Sequence, residues 1–414
     1  MNKKEVNELK RRFTKEGCTI SQMAGCYVDA EKNRVCTFQK GFLSLEDEEF
    51  FKYLEIVKKA MSGTVGNNLL TLGFPTEAEM KDDGIYKVLT ALRETALKDG
   101  SEPLLSALYD RIIETYDYTG NYLITVFYDA YDVPVRTNDN LLLDESTDVF
   151  KYIVVAICPV NLSKAALGYR EDENAIGPRL RDWVVGAVDT AFTFPAFNDR
   201  ATDLHSVLVY TKDAKEPHRE FWENGLECPG KYTSTQKRNA FSNIITNNVG
   251  SENDRLDEII TDVQESIFTT VDAQPEAEKN NEETAKILKK DELTDILKDS
   301  GLPEEKSEDI ATEYEDFFKD EKPLAKELID ARVLKNSEAI EEKKNLKKQV
   351  RDLQEQLADA GITDADGNDV DLVVKIRPDK VAEIDTTFVN GVRCLVIPVE
   401  DVHTAAINGE LQDL

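Results

Sequence analysis

The stretch from Asn121 to Val160 constrains the fold of this chain more than any other. It contains two apolar runs separated by a polar connection rich in Asp and Asn. In each run, apolar side chains occupy successive positions, so both faces of the strand that the run predicts are apolar. A strand with two apolar faces must be covered on both, and this pair is therefore predicted to lie at the centre of a sheet.

Other elements are predicted around this central pair. A hairpin is expected over residues 18–45, and more strands over residues 183–197 and 204–210. Helices are expected before the central strands, with Ser44 as the N-cap of the second. The predicted helices span residues 3–15, 44–61, 76–98 and 102–116.

The order of these elements predicts an α+β fold in three parts. Residues 1–230 are expected to form a mainly antiparallel sheet with flanking helices, residues 231–360 an acidic helical region, and residues 361–414 a C-terminal β-hairpin segment. The hairpin prediction rests on Asn390-Gly391, a dipeptide typical of tight two-residue turns.

A heptad-like spacing adds an expectation about assembly. Apolar residues recur at steps of four, three and four in the predicted last helix, at Leu346, Val350, Leu353 and Leu357. This spacing predicts a packed helical hairpin or a short coiled-coil seam. It is the basis for expecting a homodimer.

Charge and cysteine usage limit the compartment and the partners. The chain has a formal net charge of −30 over 414 residues, and residues 251–330 contain 26 acidic and 10 basic side chains, a net charge of −16. Because the acidity is localised, it disfavours nucleic-acid binding in that region without excluding it elsewhere. Six cysteines without C-x-x-C spacing, no long apolar run, and no apolar core behind the charged N-terminus predict a reduced, cytoplasmic protein with no membrane span and no secretory signal.

Two groups of basic residues are candidate nucleic-acid contacts. Lys4, Arg11 and Lys15 form a basic stripe on the predicted first helix, opposite its apolar face. The alternative is a solvated face that pairs locally, for instance Glu8 with Arg12 at i, i+4. A second, looser group lies at the start of the helical region and consists of Lys231, Lys237 and Arg238.

Carboxylates provide weaker candidates for chemistry. Asp129 and Asp132 lie at the end of a predicted central strand and could serve a metal-dependent hydrolase, although Asp before a Pro-containing turn commonly caps that turn. The segment TDADGNDVD, residues 363–371, imitates the start of a calcium loop, but Gly367 and Lys375 occupy the wrong positions for one. Three scattered histidines complete no catalytic motif, so we expect neither a cofactor nor a metal.

The chain resembles one known family over its whole length. The segments MNKKEVNELKRRFTKEGCTISQMAGCYVDAEKNRVCTF, FYDAYDVP and RCLVIPV are similar to those of a Gram-positive bacterial family catalogued as domain of unknown function 4317. The resemblance implies membership of that family and no particular activity.

The order of elements resembles a second group of proteins. YLITVFYDAYDVP, FKYIVVAICPVNLSK, a helical region and a closing VRCLVIPV are arranged as in bacterial nucleoid-associated proteins of the YejK type. That resemblance implies a cytoplasmic protein that contacts DNA or a DNA-bound partner. We therefore expect a non-enzymatic interaction protein that contacts DNA or a DNA-bound partner. The alternatives are an acidic module that binds proteins and a metal-dependent hydrolase that uses Asp129 and Asp132.

Overall fold

The computed structural model describes most of the chain and divides it into two compact units, Met1–Lys335 and Asn336–Leu414. The described residues are 1–136, 142–172, 174–275, 285–319, 321–334, 346, 349–350, 352–353, 384–396, 404–407 and 410–413.

An antiparallel sheet organises the first unit. Its strands follow the order β2-β1-β4-β5-β9-β12-β3, with β8 paired to β5 beside this path. The central position of β4 and β5 confirms the expectation from their two apolar faces. The strands of this unit are β1 Gln22–Val28, β2 Arg34–Gly41, β3 Leu69–Gly73, β4 Asn121–Arg136, β5 Leu142–Leu162, β6 Leu167–Arg170, β7 Ala175–Pro178, β8 Trp183–Val185, β9 Thr190–Phe194, β10 Ala196–Asn198, β11 Ala201–Asp203 and β12 Ser206–Thr211.

Helices cover the sheet and form the region that follows it. Before the central strands lie α1 Lys3–Arg11, α2 Asp47–Ala60, α3 Thr76–Met80, α4 Ile85–Thr95 and α5 Glu102–Thr115. After the sheet come α6 Ser234–Val249, α7 Leu256–Asp272, α8 Lys290–Asp299, α9 Glu304–Phe317 and α10 Ala325–Leu328.

The two faces of the sheet support separate hydrophobic cores. Ile153, Val155 and Ile157 of β5 pack into the core that α4 and α5 complete. The alternate side chains of the same strand, from Phe150 to Cys158, pack into the core that α1 and α2 complete. Alternation along one strand therefore fixes two layers at once, because successive side chains point to opposite faces.

The first helix is held to the sheet by buried polar contacts as well as by Val6 and Leu9. It ends at Arg11, earlier than predicted, and the local pair between Glu8 and Arg12 is not formed. Glu8 instead bonds Arg200 at 2.9 Å, and Arg12 bonds Asp129 at 3.1 Å. Partners from distant strands replace the i, i+4 partner because they lie inside the protein, where water competes less for the charges.

Other differences from the sequence predictions are local. Glu46, not Ser44, precedes α2, since the Ser44 hydroxyl donates to the carbonyl of Gly41 in a short 3-10 turn. The helix expected over residues 76–98 is divided into α3 and α4 by a polar Lys-Asp-Asp-Gly segment. Strand β3, an edge strand of five residues, was not predicted.

The helical region has a core of its own. Its buried apolar residues lie between Phe241 and Leu328. Gly301, with φ of 84°, follows the end of α8, and Pro303 precedes α9. Of the last predicted helix, expected over residues 324–360, residues 325–328 form the short α10, and the described positions 331–334, 346, 349–350 and 352–353 are also helical. Most of the remaining positions lie outside the described residues.

In the second unit, β13 Asp385–Val389 pairs antiparallel with β14 Val392–Val396. Asn390 and Gly391 both have positive φ, as a type I′ turn requires, which confirms the hairpin prediction. A second hairpin, β15 Thr404–Ile407 with β16 Glu410–Asp413, follows it. The α+β class with an antiparallel sheet, a helical middle region and a C-terminal hairpin is therefore confirmed.

The central strands are predicted to carry the stability of the sheet. Ile124 is fully buried, so Ile124→Ala should lower the free energy of unfolding by about 2–5 kcal/mol through reduced burial and a residual cavity. Val35, 56% exposed on β2, is the matched control, and Val35→Ala should change stability by less than about 0.5 kcal/mol. Denaturant titration checks both values; equal effects would contradict a core centred on β4.

Candidate functional site

The basic stripe predicted on the first helix is divided in the structure. Lys4 and Arg11 are exposed, and neither forms an ion pair with any described residue. Lys15 lies beyond the end of α1, and its ammonium is 2.6 Å from a carboxylate oxygen of Asp47. Two cations of this group thus keep their charges uncompensated, and the third has an acidic neighbour.

The second predicted group is used mainly within the protein. Lys237 is 7% exposed and lies between the carboxylates of Glu321 and Glu327, at 2.8 and 3.0 Å. Arg238 donates to the carbonyl of Ile329 and approaches Asp330, and Lys231 donates to the carbonyl of Thr71 on edge strand β3. These contacts join elements of the fold, and the charges of Lys237 and Arg238 are balanced by carboxylates of the protein itself.

The two carboxylates considered for hydrolysis do not converge. Asp129 pairs with Tyr152 across β5 and Asp132 with Val149, and side chains three residues apart on a strand point to opposite faces. Asp129 is buried and accepts hydrogen bonds from Thr19 and Tyr152 besides its ion pair with Arg12. A metal at this position would have to displace a guanidinium.

The remaining candidates for metals and assembly are mostly outside the described residues. The calcium-like segment 363–371 lies there, as does Leu357 of the heptad-like spacing. Leu346, Val350 and Leu353 are described and are about half exposed. Within the described part of the chain, no group of three or more His, Cys, Asp or Glu side chains could hold a metal ion.

The two most exposed large apolar side chains among the described residues, Leu167 and Leu180, lie on a two-stranded β-ribbon that we call the arm, residues 161–184. Its pairing begins at Val160–Val185 and includes Leu162–Trp183 and Leu167–Pro178. Between the pairs Leu162–Trp183 and Leu167–Pro178 there are four residues on each strand. Because these numbers are equal, the same register continues without a bulge to Arg170–Ala175. The backbone bonds Ser163 N–H to Asp182 O and Arg179 N–H to Ala166 O, both 2.8 Å, join the intervening residues.

The arm extends beyond the sheet. Strand β4 accompanies β5 only as far as Val160, which pairs with Asn121. Beyond that point, side chains on both faces of the ribbon are exposed, including Leu167, at 76%, and Arg179. Ten residue pairs at 3.3 Å per residue give the arm a length of about 30 Å.

The arm has one basic face. Opposite residues of an antiparallel pair share a face, and successive residues alternate. Four cations therefore lie on the same side of the ribbon, and of these Lys164, Arg179 and Arg181 form no ion pair with a described residue. The four are Lys164, Arg170, Arg179 and Arg181.

Glycines keep the basic face flat. Gly168 and Gly177 pair with each other on this side, and the guanidinium of Arg170 lies over Gly177. The absence of a Cβ atom at Gly177 makes room for this guanidinium, which donates to the carbonyl of Pro178 at 2.8 Å. Trp183, 57% exposed, lies on the same face where the arm joins the sheet.

The opposite face of the arm is apolar. Its large side chains are exposed, and the one carboxylate that it has within the paired residues 161–170 and 175–184, Asp182, lies near the sheet. The acidic residues Glu171 and Asp172 are at the turn between β6 and β7. The exposed apolar side chains of this face are Leu167, Tyr169, Ile176, Leu180 and Val184.

The arm was not predicted from the sequence. Arg170, Arg179 and Arg181 fall in a charged stretch that no continuous apolar run marks as a strand, and such a stretch favours an irregular segment. The available signal was a period of two, since Lys164, Ala166, Gly168 and Arg170 alternate with Ala165, Leu167 and Tyr169.

A hydrogen-bonded cluster fixes the place where the arm meets the sheet. Asp189 lies between β8 and β9, and its backbone N–H bonds the carbonyl of Ile157. Its side chain accepts from the hydroxyl of Tyr116 at 2.7 Å and contacts Nε2 of His218 at 2.6 Å. Burial alone would raise the pKa of Asp189, but the bonds from His218 and Tyr116 outweigh it and lower the pKa below its ordinary value.

Comparison with known proteins identifies the family of this chain but no individual protein that is similar to it. A family model described as "Domain of unknown function (DUF4317)" matches residues 1–409. No curated protein and no solved structure matches the chain significantly, so the similarity to nucleoid-associated proteins has no support from these comparisons.

The ion pair of Arg12 with Asp129 predicts a structural role for that carboxylate. Asp129→Asn should lower the free energy of unfolding by about 3–5 kcal/mol, because it leaves Arg12 buried without its counter-charge. Added Mg²⁺ or Mn²⁺ should not raise the melting temperature of the unaltered protein. Metal-dependent stabilisation that disappears in Asp129→Asn would contradict this assignment.

The cluster at the foot of the arm predicts a dependence of stability on pH. A carboxyl whose pKa is depressed in the folded state stabilises the protein above its unfolded pKa, near 3.9, and this stabilisation is lost as the pH falls through the folded pKa. Asp189→Asn should therefore be less stable at neutral pH and lose less stability than the unaltered protein on acidification below about pH 4. Unfolding measured at several pH values tests this, and parallel pH profiles would contradict it.

Proposed function

Because the chain belongs to the DUF4317 family, whose description names no activity, we propose its function from its own surfaces. The protein is a non-enzymatic, cytoplasmic interaction protein that contacts duplex DNA through the basic face of the arm. Its role corresponds to that of nucleoid-associated proteins, with the arm, and not the second predicted group of cations, as the main contact.

The observation that carries this proposal is the segregation of charge on the arm. Lys164, Arg179 and Arg181 share one face without an acidic side chain of the described chain in ion-pair distance. Affinity for DNA depends mainly on Lys and Arg that displace counterions from phosphates. Arginine adds directional hydrogen bonds to phosphate oxygens.

A chain with a net charge of −30 repels DNA as a whole, but the cations of the arm lie away from most of its carboxylates. Lys164 and Arg181 lie four residue pairs beyond Val160–Val185, and Arg179 lies six, so they are about 13–20 Å along the ribbon, whereas the Debye length in physiological salt is about 8 Å. A polyanion bound to these cations is therefore screened from most carboxylates of the sheet domain.

The shape of the arm fits duplex DNA better than an anionic point ligand. A two-stranded ribbon is about 10 Å wide when its side chains are included, and the major groove of about 12 Å admits such a ribbon. The acidic turn at Glu171 and Asp172 disfavours insertion of the tip, so the ribbon is expected to lie along the duplex by its face.

A second candidate follows from α9. Its outer surface includes Glu305, Glu308, Asp309 and Asp316, all exposed and without an ion-pair partner among the described residues. This acidic surface is suited to bind a basic protein. If that protein is itself bound to DNA, contact through α9 and contact of the arm with DNA could occur in the same complex. A partner retained in a pull-down after nuclease digestion would favour contact through α9.

Salt-dependent DNA binding tests the leading proposal. The triple variant Lys164→Gln, Arg179→Gln, Arg181→Gln should reduce the slope of log K against log salt by about 0.9 for each phosphate that the variant no longer neutralises. Its melting temperature should remain unchanged, because all three side chains are exposed. Fluorescence anisotropy with a labelled duplex at several salt concentrations measures the slope.

The matched control uses the first helix. Lys4→Gln with Arg11→Gln also removes uncompensated exposed cations, yet should leave the slope nearly unchanged. The opposite result, with a slope sensitive to Lys4 and Arg11 and insensitive to the arm, would transfer the interface to the first helix. Absence of binding at about 50 mM salt, where phosphate contacts are strongest, would reject direct DNA binding.

A further inference from the structure

The apolar face of the arm has no partner within the described chain. Leu167 and Leu180 are 76% and 81% exposed, and Tyr169, Ile176 and Val184 lie on the same side. An exposed apolar patch of about 300 Å² is often a functional contact surface. The basic face proposed for DNA is on the other side of the ribbon, so both surfaces can be occupied together.

We propose that a second copy of this chain covers the apolar face, so that two arms stack back to back and their basic faces point outwards. A dimer of this kind holds two DNA duplexes, one on each outer face, and bridges them. The inference of a dimer depends only on the apolar face, whereas the inference of bridging also rests on the proposed function.

Charge favours a second copy in this arrangement. Within the paired residues 161–170 and 175–184, the apolar face contains no cation and one carboxylate, Asp182, so two such faces meet without strong repulsion. A two-fold interface requires the same patch on both subunits, and a flat ribbon face provides it. When the arms overlap in opposite directions, the two acidic sheet domains lie at opposite ends of the stack and beyond the Debye length from each other.

The open edges of the arm argue against a lipid surface as the occupant. Beyond Val160, each strand of the ribbon has one edge without a neighbouring strand in the described structure. Backbone groups on such edges would lose their water on entering hydrocarbon and find no hydrogen-bond partner there, which is strongly unfavourable. Between two stacked ribbons, the same edges remain in water.

The size of the face predicts a weak dimer. An arm about 30 Å long and about 10 Å wide buries about 300 Å² on each copy, or about 600 Å² in total. Stable complexes bury about 1,200–2,000 Å², so the free protein should exchange between monomer and dimer.

Sedimentation velocity of the full chain tests the dimer. We expect the dimer fraction to rise with protein concentration and with salt, because salt screens repulsion between two chains of net charge −30. The variant Leu167→Ser, Leu180→Ser should remain monomeric at concentrations where the unaltered protein dimerises. Met80→Ser, which changes an apolar side chain 74% exposed outside the arm, should dimerise normally.

Three results would overturn the dimer. These are a monomer at every concentration and salt tested, a dimer that persists in Leu167→Ser with Leu180→Ser, and binding of the unaltered chain, but not this variant, to vesicles of neutral lipid. The last result would assign the apolar face to a membrane.

A bridging assay separates this inference from the proposed function. Immobilised duplex should capture a second, labelled duplex when the unaltered protein is present. The variant Leu167→Ser, Leu180→Ser should lose capture while each molecule still binds one duplex, whereas Lys164→Gln, Arg179→Gln, Arg181→Gln should still dimerise and bind duplex more weakly than the unaltered protein. Dimerisation without any DNA binding would reject the proposed function alone, and DNA binding by a permanent monomer would reject the dimer alone.

Discussion

The burial of both faces of the central strands is the constraint on which the rest of the structure depends. Strand β5 places Ile153, Val155 and Ile157 in one core and the alternate residues in the other, so helices must pack on both sides of the sheet. The same strand runs on past Val160, and there its pattern changes. Lys164 and Arg170 take the positions that continue one buried face, and burial of these charges without partners would be costly.

The arm is a consequence of that change of pattern. A strand whose alternate residues are charged and apolar cannot be covered on both faces by the protein's own helices. Its partner strand, from Arg179 to Trp183, follows the same alternation, so the ribbon has one basic face and one apolar face. The cluster around Asp189 keeps the foot of the arm attached to β5 and the segment containing His218. In this account, the sheet is a rigid support, and the arm is the part that meets other molecules.

Periodicity of apolar residues was sufficient to predict the central strands, the first hairpin, most helices and the Asn390-Gly391 turn. Periodicity could not predict ion pairs between residues that are far apart in the sequence. Arg12 pairs with Asp129, and Lys237 with Glu321 and Glu327, and no local spacing indicates these pairs. For the same reason, the predicted binding cations included Lys237, which is buried. The arm was missed because a two-stranded ribbon without a core leaves only a period of two in a polar stretch.

Acrylamide quenching of tryptophan fluorescence tests the central claim most directly. The chain has two tryptophans, of which Trp222 is fully buried and Trp183 is exposed on the basic face of the arm. If DNA lies on that face, a saturating duplex should abolish most quenching of Trp183, and Trp183→Phe should show no change on DNA addition. Unaltered quenching of Trp183 while DNA is bound would contradict the account.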